Sequence, residues 1–61
     1  MIEKYSYFNY EIYKEHGNYV YIIYDEPNNH ESIEWFDTEQ ESRQKAIEHI
    51  NLLENGGFYY D

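Results

Sequence analysis

Two kinds of side chain in this sequence could do chemistry: three histidines and a large set of carboxylates. His16, His30 and His49 fall in different predicted elements, and their spacing is not typical of a metal site. We therefore expect solvated surface histidines. Neighbouring carboxylates act as an acid–base pair only in a cleft that gives the two groups different environments. The candidate pairs are Asp25/Glu26, Glu31/Glu34, Glu39/Glu41 and Glu48/Glu54.

Catalytic motifs are absent from the sequence. It contains no Ser-His-Asp pattern and no glycine-rich phosphate loop, since Gly56-Gly57 follows a predicted helix as a stop signal. A domain this small also leaves little room for a cleft. We expect no catalytic activity, no cofactor and no metal, and a small enzyme or metalloprotein is the least favoured class of function.

Net charge is the most unusual property of the chain. Thirteen Asp and Glu residues face four Lys and Arg, which gives a formal charge of −9. Aromatic residues make up 21% of the sequence, so the chain has enough large apolar surface to fold rather than remain disordered. A strongly negative surface repels nucleic acid and anionic membranes, and it favours a basic partner.

The length of the chain limits it to one small domain, residues 1–61. Such a domain buries only about 60% of the surface that its unfolded chain exposes. The absence of cysteine excludes disulfides and fits an intracellular protein. The N-terminal residues are too polar for a signal peptide, and no apolar run reaches membrane-spanning length. We expect a cytoplasmic protein.

Three predicted strands precede the helix. Aromatic and β-branched residues predict strands at residues 4–14, 19–24 and 32–36, with a turn at residues 15–18 and a loop at residues 25–30. The face of the first strand without charge is the better core candidate. That face carries Ser6, Phe8, Tyr10 and Ile12.

An amphipathic helix is predicted over residues 39–54. Thr38 and Glu41 have the spacing of a capping box, and Asn55-Gly56-Gly57 is a strong stop signal. Leu52 lies off the apolar stripe that should face the sheet. The stripe consists of Ala46, Ile47, Ile50 and Leu53. The aromatic residues 58–61 either fold back on the sheet or form an exposed hook.

These elements predict an α+β fold, a three-stranded antiparallel sheet (β-β-β-α) with the helix packed on one face. Tyr19, Tyr21, Ile23 and the tyrosines of the first strand are too many for one helix to cover. We therefore expect an uncovered interaction face, used either by a homodimer or by another partner.

The acidic residues are concentrated around the third strand and the helix. Carboxylates two apart on a strand, or three to four apart on a helix, are separated by about 5–7 Å, which is comparable to the spacing of phosphates. A row of such carboxylates could occupy a basic groove that binds nucleic acid. The alternative is that the negative charge only keeps the chain soluble. The predicted partner-binding carboxylates are Asp25, Glu26, Glu31, Glu34, Asp37, Glu39, Glu41 and Glu48, with Tyr19, Tyr21 and Trp35 as apolar anchors.

The segment Glu31-Ser32-Ile33 stands at the start of the third predicted strand. With the small size, acidity and lack of cysteine, this segment resembles the phage-type uracil-DNA glycosylase inhibitors, which carry Glu-Ser-Ile at a strand edge. The resemblance covers these three residues. It implies that Glu31 and Ser32 imitate DNA phosphates, and that an apolar pocket between sheet and helix receives a leucine of the enzyme. Phage anti-restriction and anti-CRISPR proteins are similar in size and charge.

Three strands followed by a helix are also the layout of plant-type and integrase-type DNA-binding modules. Residues 35–39, followed by the amphipathic helix, resemble the third strand and helix of those modules. Those modules place Arg and Lys on the sheet, whereas this sheet offers Lys4 and Lys14 only. We expect similar topology without DNA binding.

The leading hypothesis is a non-enzymatic inhibitor from a phage or mobile element, acting in the host bacterial cytoplasm. It would occupy the DNA- or RNA-binding groove of a uracil-DNA glycosylase, a restriction enzyme or a CRISPR effector by carboxylate mimicry. The alternative is a Tyr-rich interaction or regulatory module, dimeric through its sheet.

Overall fold

A computed structural model describes residues 1–56, and the predicted aromatic tail at residues 58–61 lies outside the described residues. The elements are β1 (Ile2–Tyr5), β2 (Phe8–Glu15), β3 (Asn18–Tyr24), β4 (His30–Glu31) and α1 (Glu39–Glu54). The strands form one antiparallel sheet in the order β1-β2-β3-β4, and α1 packs across one face. The α+β class is confirmed, with four strands in place of three. Within the described part of the chain, no helix is long and apolar enough to cross a membrane.

A tight turn divides the first predicted strand into two. The sequence predicts one strand over residues 4–14, but β1 ends at Tyr5 and β2 begins at Phe8, and these two residues pair in register. Ser6 between them has a positive φ of 58°. The Ser6 hydroxyl donates a hydrogen bond to the Glu54 carboxylate at the far end of α1. Aromatic residues run through this turn, so no break is visible in the sequence pattern.

The other two connections are close to prediction. β2 and β3 are joined through His16 and Gly17, whose φ angles are 54° and 84°, and Glu15 pairs with Asn18. Two successive residues with positive φ form the hairpin turn whose twist matches that of the strands. The loop predicted at residues 25–30 is also present, except that His30 already pairs in β4.

The third strand predicted at residues 32–36 is wrong. The β4 ladder stops after Glu31. Ser32 then contacts Tyr21 twice, because its N–H donates to the Tyr21 carbonyl at 2.9 Å and its hydroxyl accepts the Tyr21 N–H at 3.2 Å. The Ser32 hydroxyl has replaced a backbone carbonyl as the acceptor for the Tyr21 N–H, and the residues after Ser32 leave the sheet. It returns at Phe36, which exchanges two backbone hydrogen bonds of 2.9 Å with Tyr19.

The helix matches its predicted bounds, Glu39–Glu54. Thr38 precedes it in an extended conformation, and the Thr38 hydroxyl accepts the Glu41 N–H at 3.1 Å. This bond satisfies one of the free N–H groups of the first turn, as the predicted capping box requires. At the other end Asn55 closes the last turn through backbone hydrogen bonds, and Gly56 follows with a positive φ of 110°.

The core lies between α1 and one face of β2 and β3. Its buried side chains are Tyr10, Tyr21, Ile23, Phe36, Ala46 and Ile50. Tyr5, Phe8, Ile12 and Leu53 are partly buried against it. The predicted core face of the first strand is confirmed at Phe8, Tyr10 and Ile12 and is wrong at Ser6, which is exposed in the turn. The predicted helix stripe is confirmed, with Ile47 half-buried at its margin. Ser42 adds a fully buried polar side chain to the same side of the helix.

No second helix or sheet of the described residues covers the opposite face of the sheet, although Val20 on that face is only 3% exposed. Ile22 lies between Glu11 of β2 and Glu31 of β4, and Val20 pairs with Tyr13. Successive side chains of a strand point to opposite faces of the sheet, so the remaining side chains of β3 point toward α1. Consequently Tyr21 and Ile23, which we expected to contribute to the uncovered face, are buried beneath the helix.

Candidate functional site

A pocket of about 370 Å³ lies between α1 and the segment that leaves the sheet. The chain swings away from β3 between Ser32 and Phe36, and this departure opens the gap. The pocket is lined from the sheet side by Tyr21, Glu31, Ser32, Ile33, Glu34 and Phe36, and from α1 by Lys45, Glu48, His49 and Leu52.

One side of the helix faces this pocket. Lys45, Glu48 and Leu52 recur at spacings of three and four, so they lie on the same side of α1. Glu41 continues that line toward the start of the helix. His49 lies next to it, closer to the sheet. Along the pocket the helix therefore presents the charged Lys45 and Glu48 and then the apolar Leu52.

The inner surface of the pocket is apolar. Phe36 and Tyr21 are 6% and 8% exposed and form its inner part, whereas Ile33 is 97% exposed and Leu52 is 40% exposed at the rim. A single exposed apolar side chain is ordinary on a protein surface. Two of them beside a concave apolar site are typical of a contact surface.

The rim of the pocket is acidic. Glu34 and Glu48 contribute carboxylates, and Lys45 is the cation among the lining residues. Glu31 also lines the pocket, but it pairs with Ile22 and acts on Tyr13, so its carboxylate lies on the uncovered face of the sheet. Lys45 Nζ lies 3.5 Å from Glu48 Oε1, and both side chains are about half exposed. An exposed pair of this kind contributes at most about 1 kcal/mol, so the two groups separate readily. Within residues 1–56, Glu31 and Glu34 have no ion-pair partner.

Two histidines form a line of polar contacts beside the pocket. His30 Nε2 lies 3.2 Å from Asp25 Oδ2, and the His30 ring centre is 5.4 Å from that of His49. His49 Nδ1 lies 2.9 Å from the Tyr21 hydroxyl. Burial first, and then the nearby His30, lowers the pKa of His49 below its ordinary value. The expectation of merely solvated histidines is wrong at these two positions. No group of three or more potential ligands in residues 1–56 is placed to hold a metal ion.

Further aromatic residues lie outside the pocket. His16 stacks on Trp35 with ring centres 5.4 Å apart and planes 7° apart, and Trp35 is 51% exposed. On the uncovered sheet face Tyr13 is 38% exposed. Burial, and then nearby carboxylates of which Glu31 acts most strongly, raise the pKa of Tyr13. Tyrosines and carboxylates therefore share this face.

The predicted partner-binding residues fall into separate groups. The pocket is lined by Tyr21, Glu31, Ser32, Glu34 and Glu48. The start of α1 carries Asp37, Glu39 and Glu41, and the loop between β3 and β4 carries Asp25 and Glu26. Near the bridge to residue 36 lie Tyr19 and Trp35. They do not form one continuous row. The pocket holds the largest of these groups, five of the twelve residues.

Three of these residues differ from the role that the sequence suggested. Glu39 accepts a hydrogen bond from Arg43 at 3.0 Å, so its charge is compensated on the side of α1 away from the pocket. The Ser32 hydroxyl already accepts the Tyr21 N–H, which leaves it less able to imitate a phosphate. Tyr21 itself contributes only to the inner wall of the pocket and is not an exposed anchor.

Sequence reasoning missed five of the lining residues as a site: Ile33, Phe36, Lys45, His49 and Leu52. One signal was available, because Leu52 lies off the apolar stripe of the helix and therefore had to meet either solvent or a partner. Nothing in the sequence indicated that residues 33–35 leave the sheet, so Ile33 could not be placed at a rim.

Comparisons of this chain with protein-family models, with curated proteins and with solved structures give no match. Its function is therefore argued from the geometry and charge of the site.

Proposed function

We propose that this chain is a non-enzymatic acidic inhibitor that occupies the nucleic-acid-binding groove of a basic bacterial enzyme. A phage or mobile-element origin belongs to the proposal, with a uracil-DNA glycosylase, a restriction enzyme or a CRISPR effector as target. One observation carries it: many exposed carboxylates have no ion-pair partner within the described residues. These are Glu15, Glu26, Glu31, Glu34, Asp37, Glu41 and Glu54.

Uncompensated carboxylates give the surface a negative potential that a basic groove attracts over a distance. Glu34 stands at the rim of an apolar pocket, where contact with a partner excludes water and strengthens an ion pair. Charge then supplies fast association, and the pocket supplies a fixed docking position. Solubility alone would not require acidic residues to surround a concave apolar site.

The proposal is tested by adding the protein to three assays: uracil excision from a uracil-containing duplex, cleavage by a restriction endonuclease, and cleavage by a CRISPR nuclease. We expect stoichiometric inhibition in one of them. The complex should dissociate in about 1 M NaCl, where the Debye length is about 3 Å. Inhibition of none of the enzymes, or binding that this salt leaves unchanged, would overturn the proposal.

Paired variants separate the site from charge in general. Glu34→Gln should weaken inhibition more than Glu15→Gln, although each variant removes one negative charge. Both side chains are exposed, so each variant should fold.

A second candidate function is a Tyr-rich protein–protein interaction module, dimeric through the uncovered sheet face. It is favoured by the exposure of Ile2 and Tyr13 on that face, at 54% and 38%. Apolar docking of this kind should persist in high salt, whereas groove mimicry should not. Sedimentation at low and high salt, with Tyr13→Ser as the variant, distinguishes the two.

A further inference from the structure

We propose that the pocket beside α1 receives an arginine side chain from a basic segment of the partner protein. This inference deepens the proposed function and rests on it for the basic character of the partner. It names the chemistry of the occupant, which the acidic surface alone does not specify.

The shape and the walls of the pocket fit a long side chain. A volume of about 370 Å³ lies in the lower range of small-molecule sites. Ile33 and Leu52 form an exposed apolar rim, and Phe36 lies further inside. The methylene stem of arginine can cover this apolar surface while its charged end remains at the rim.

The charges at the rim favour a cation and disfavour a purely apolar occupant. Glu34 has no ion-pair partner within residues 1–56, and Glu48 has only the exposed Lys45. An apolar side chain seated here would strip water from these carboxylates without replacing their hydrogen bonds, which is unfavourable. A nucleic acid or any other anion would be repelled.

Arginine fits better than lysine for two reasons. Its planar guanidinium can donate two parallel hydrogen bonds to one carboxylate, and it is more weakly hydrated than an ammonium group. The opposing charge on Lys45 is exposed and 3.5 Å from Glu48, so it can turn away into solvent. Its presence should nevertheless weaken the binding of a second cation.

The test uses four blocked pentapeptides of glycine with a central arginine, lysine, citrulline or leucine, titrated into the ¹⁵N-labelled full chain. On binding, the amide chemical shifts of Ile33, Glu34 and Leu52 should change, whereas that of Gly17 in the distant hairpin should not. We expect arginine to bind several-fold more tightly than lysine, and citrulline to lose binding because it keeps the shape without the charge. Equal or tighter binding of leucine, or no shift with arginine at millimolar concentration, overturns the inference.

Variants locate the contact. Glu34→Gln should weaken arginine-peptide binding by about tenfold, the value of one charge-assisted hydrogen bond. Glu15→Gln, an exposed carboxylate outside the pocket, is the matched control and should have little effect. Lys45→Met should tighten binding, and weaker binding would contradict the inference. Peptide binding without inhibition of any nucleic-acid enzyme would support the inference and overturn the proposed function. Inhibition of such an enzyme without peptide binding would support the proposed function and overturn the inference.

Discussion

Arg43 is expected to hold the edge strand β1 against the helix. Its guanidinium donates to both carboxylate oxygens of Glu3 at 2.9 and 2.6 Å, and to Glu39 at 3.0 Å. The Tyr10 hydroxyl donates to the same Glu3 carboxylate at 2.8 Å. Arg43→Met keeps the apolar stem and removes every donor, so it isolates the polar contribution of this contact.

The size of the effect follows from geometry and exposure. A hydrogen bond to a charged group contributes about 1.5–3 kcal/mol when well buried, but exposed ion pairs contribute at most about 1 kcal/mol. The side chains of Arg43 and Glu3 are 33% and 27% exposed, between these limits. We therefore expect a coupling free energy of about 1–2 kcal/mol, and each kcal/mol lowers the Tm of a domain this small by about 4–8 °C.

The assay is a double-mutant cycle of Glu3→Gln and Arg43→Met, measured by urea unfolding. The exposed pair Lys45 and Glu48, 3.5 Å apart, provides the control cycle with an expected coupling of about 0.3–0.5 kcal/mol. The Arg43 hydrogen bond lowers the pKa of Glu3 below its ordinary 4.5, so the coupling is present above that pH and disappears as pH falls through the lower folded-state value. A coupling no larger than the control at pH 7 would refute the reasoning.

Two further predictions concern the buried side of α1. The Ser42 hydroxyl is buried without a hydrogen-bond partner among the described residues, and an unsatisfied group of this kind costs about 1–3 kcal/mol of stability. Ser42→Ala should therefore raise the free energy of unfolding by about 1 kcal/mol. A loss of stability would show that the hydroxyl does have a hydrogen-bond partner. Burial lowers the pKa of His49, so the unfolded chain binds this proton more readily, and the contribution of His49 to stability is lost as pH falls below its ordinary value of 6.5. His49→Gln retains a side chain that can bond the Tyr21 hydroxyl and should flatten the decline in stability between about pH 7.5 and 5.5, whereas equal slopes in both proteins would contradict the assignment.

Local features of this protein could be predicted from the sequence because they depend on residues only a few positions apart. Thr38 caps α1 through the N–H three residues later, and the helix ends at the Asn-Gly signal. The turn between β2 and β3 was predicted because Gly17 adopts a positive φ without strain, although His16 rather than Asn18 supplies the second positive φ. Net charge is likewise a sum over the sequence. Fold class followed from these elements together.

The remaining features depend on partners that are distant along the chain. The turn at Ser6 is tied to Glu54 at the end of α1, and the third predicted strand ends early because the Ser32 hydroxyl replaces a backbone acceptor for Tyr21. The sequence pattern indicates which residues prefer water. It does not indicate where a side-chain hydrogen bond across the sheet will replace one of the backbone hydrogen bonds of a strand pair. That competition moved residues 33–35 away from β3, and it thereby created the pocket and decided which carboxylates surround it.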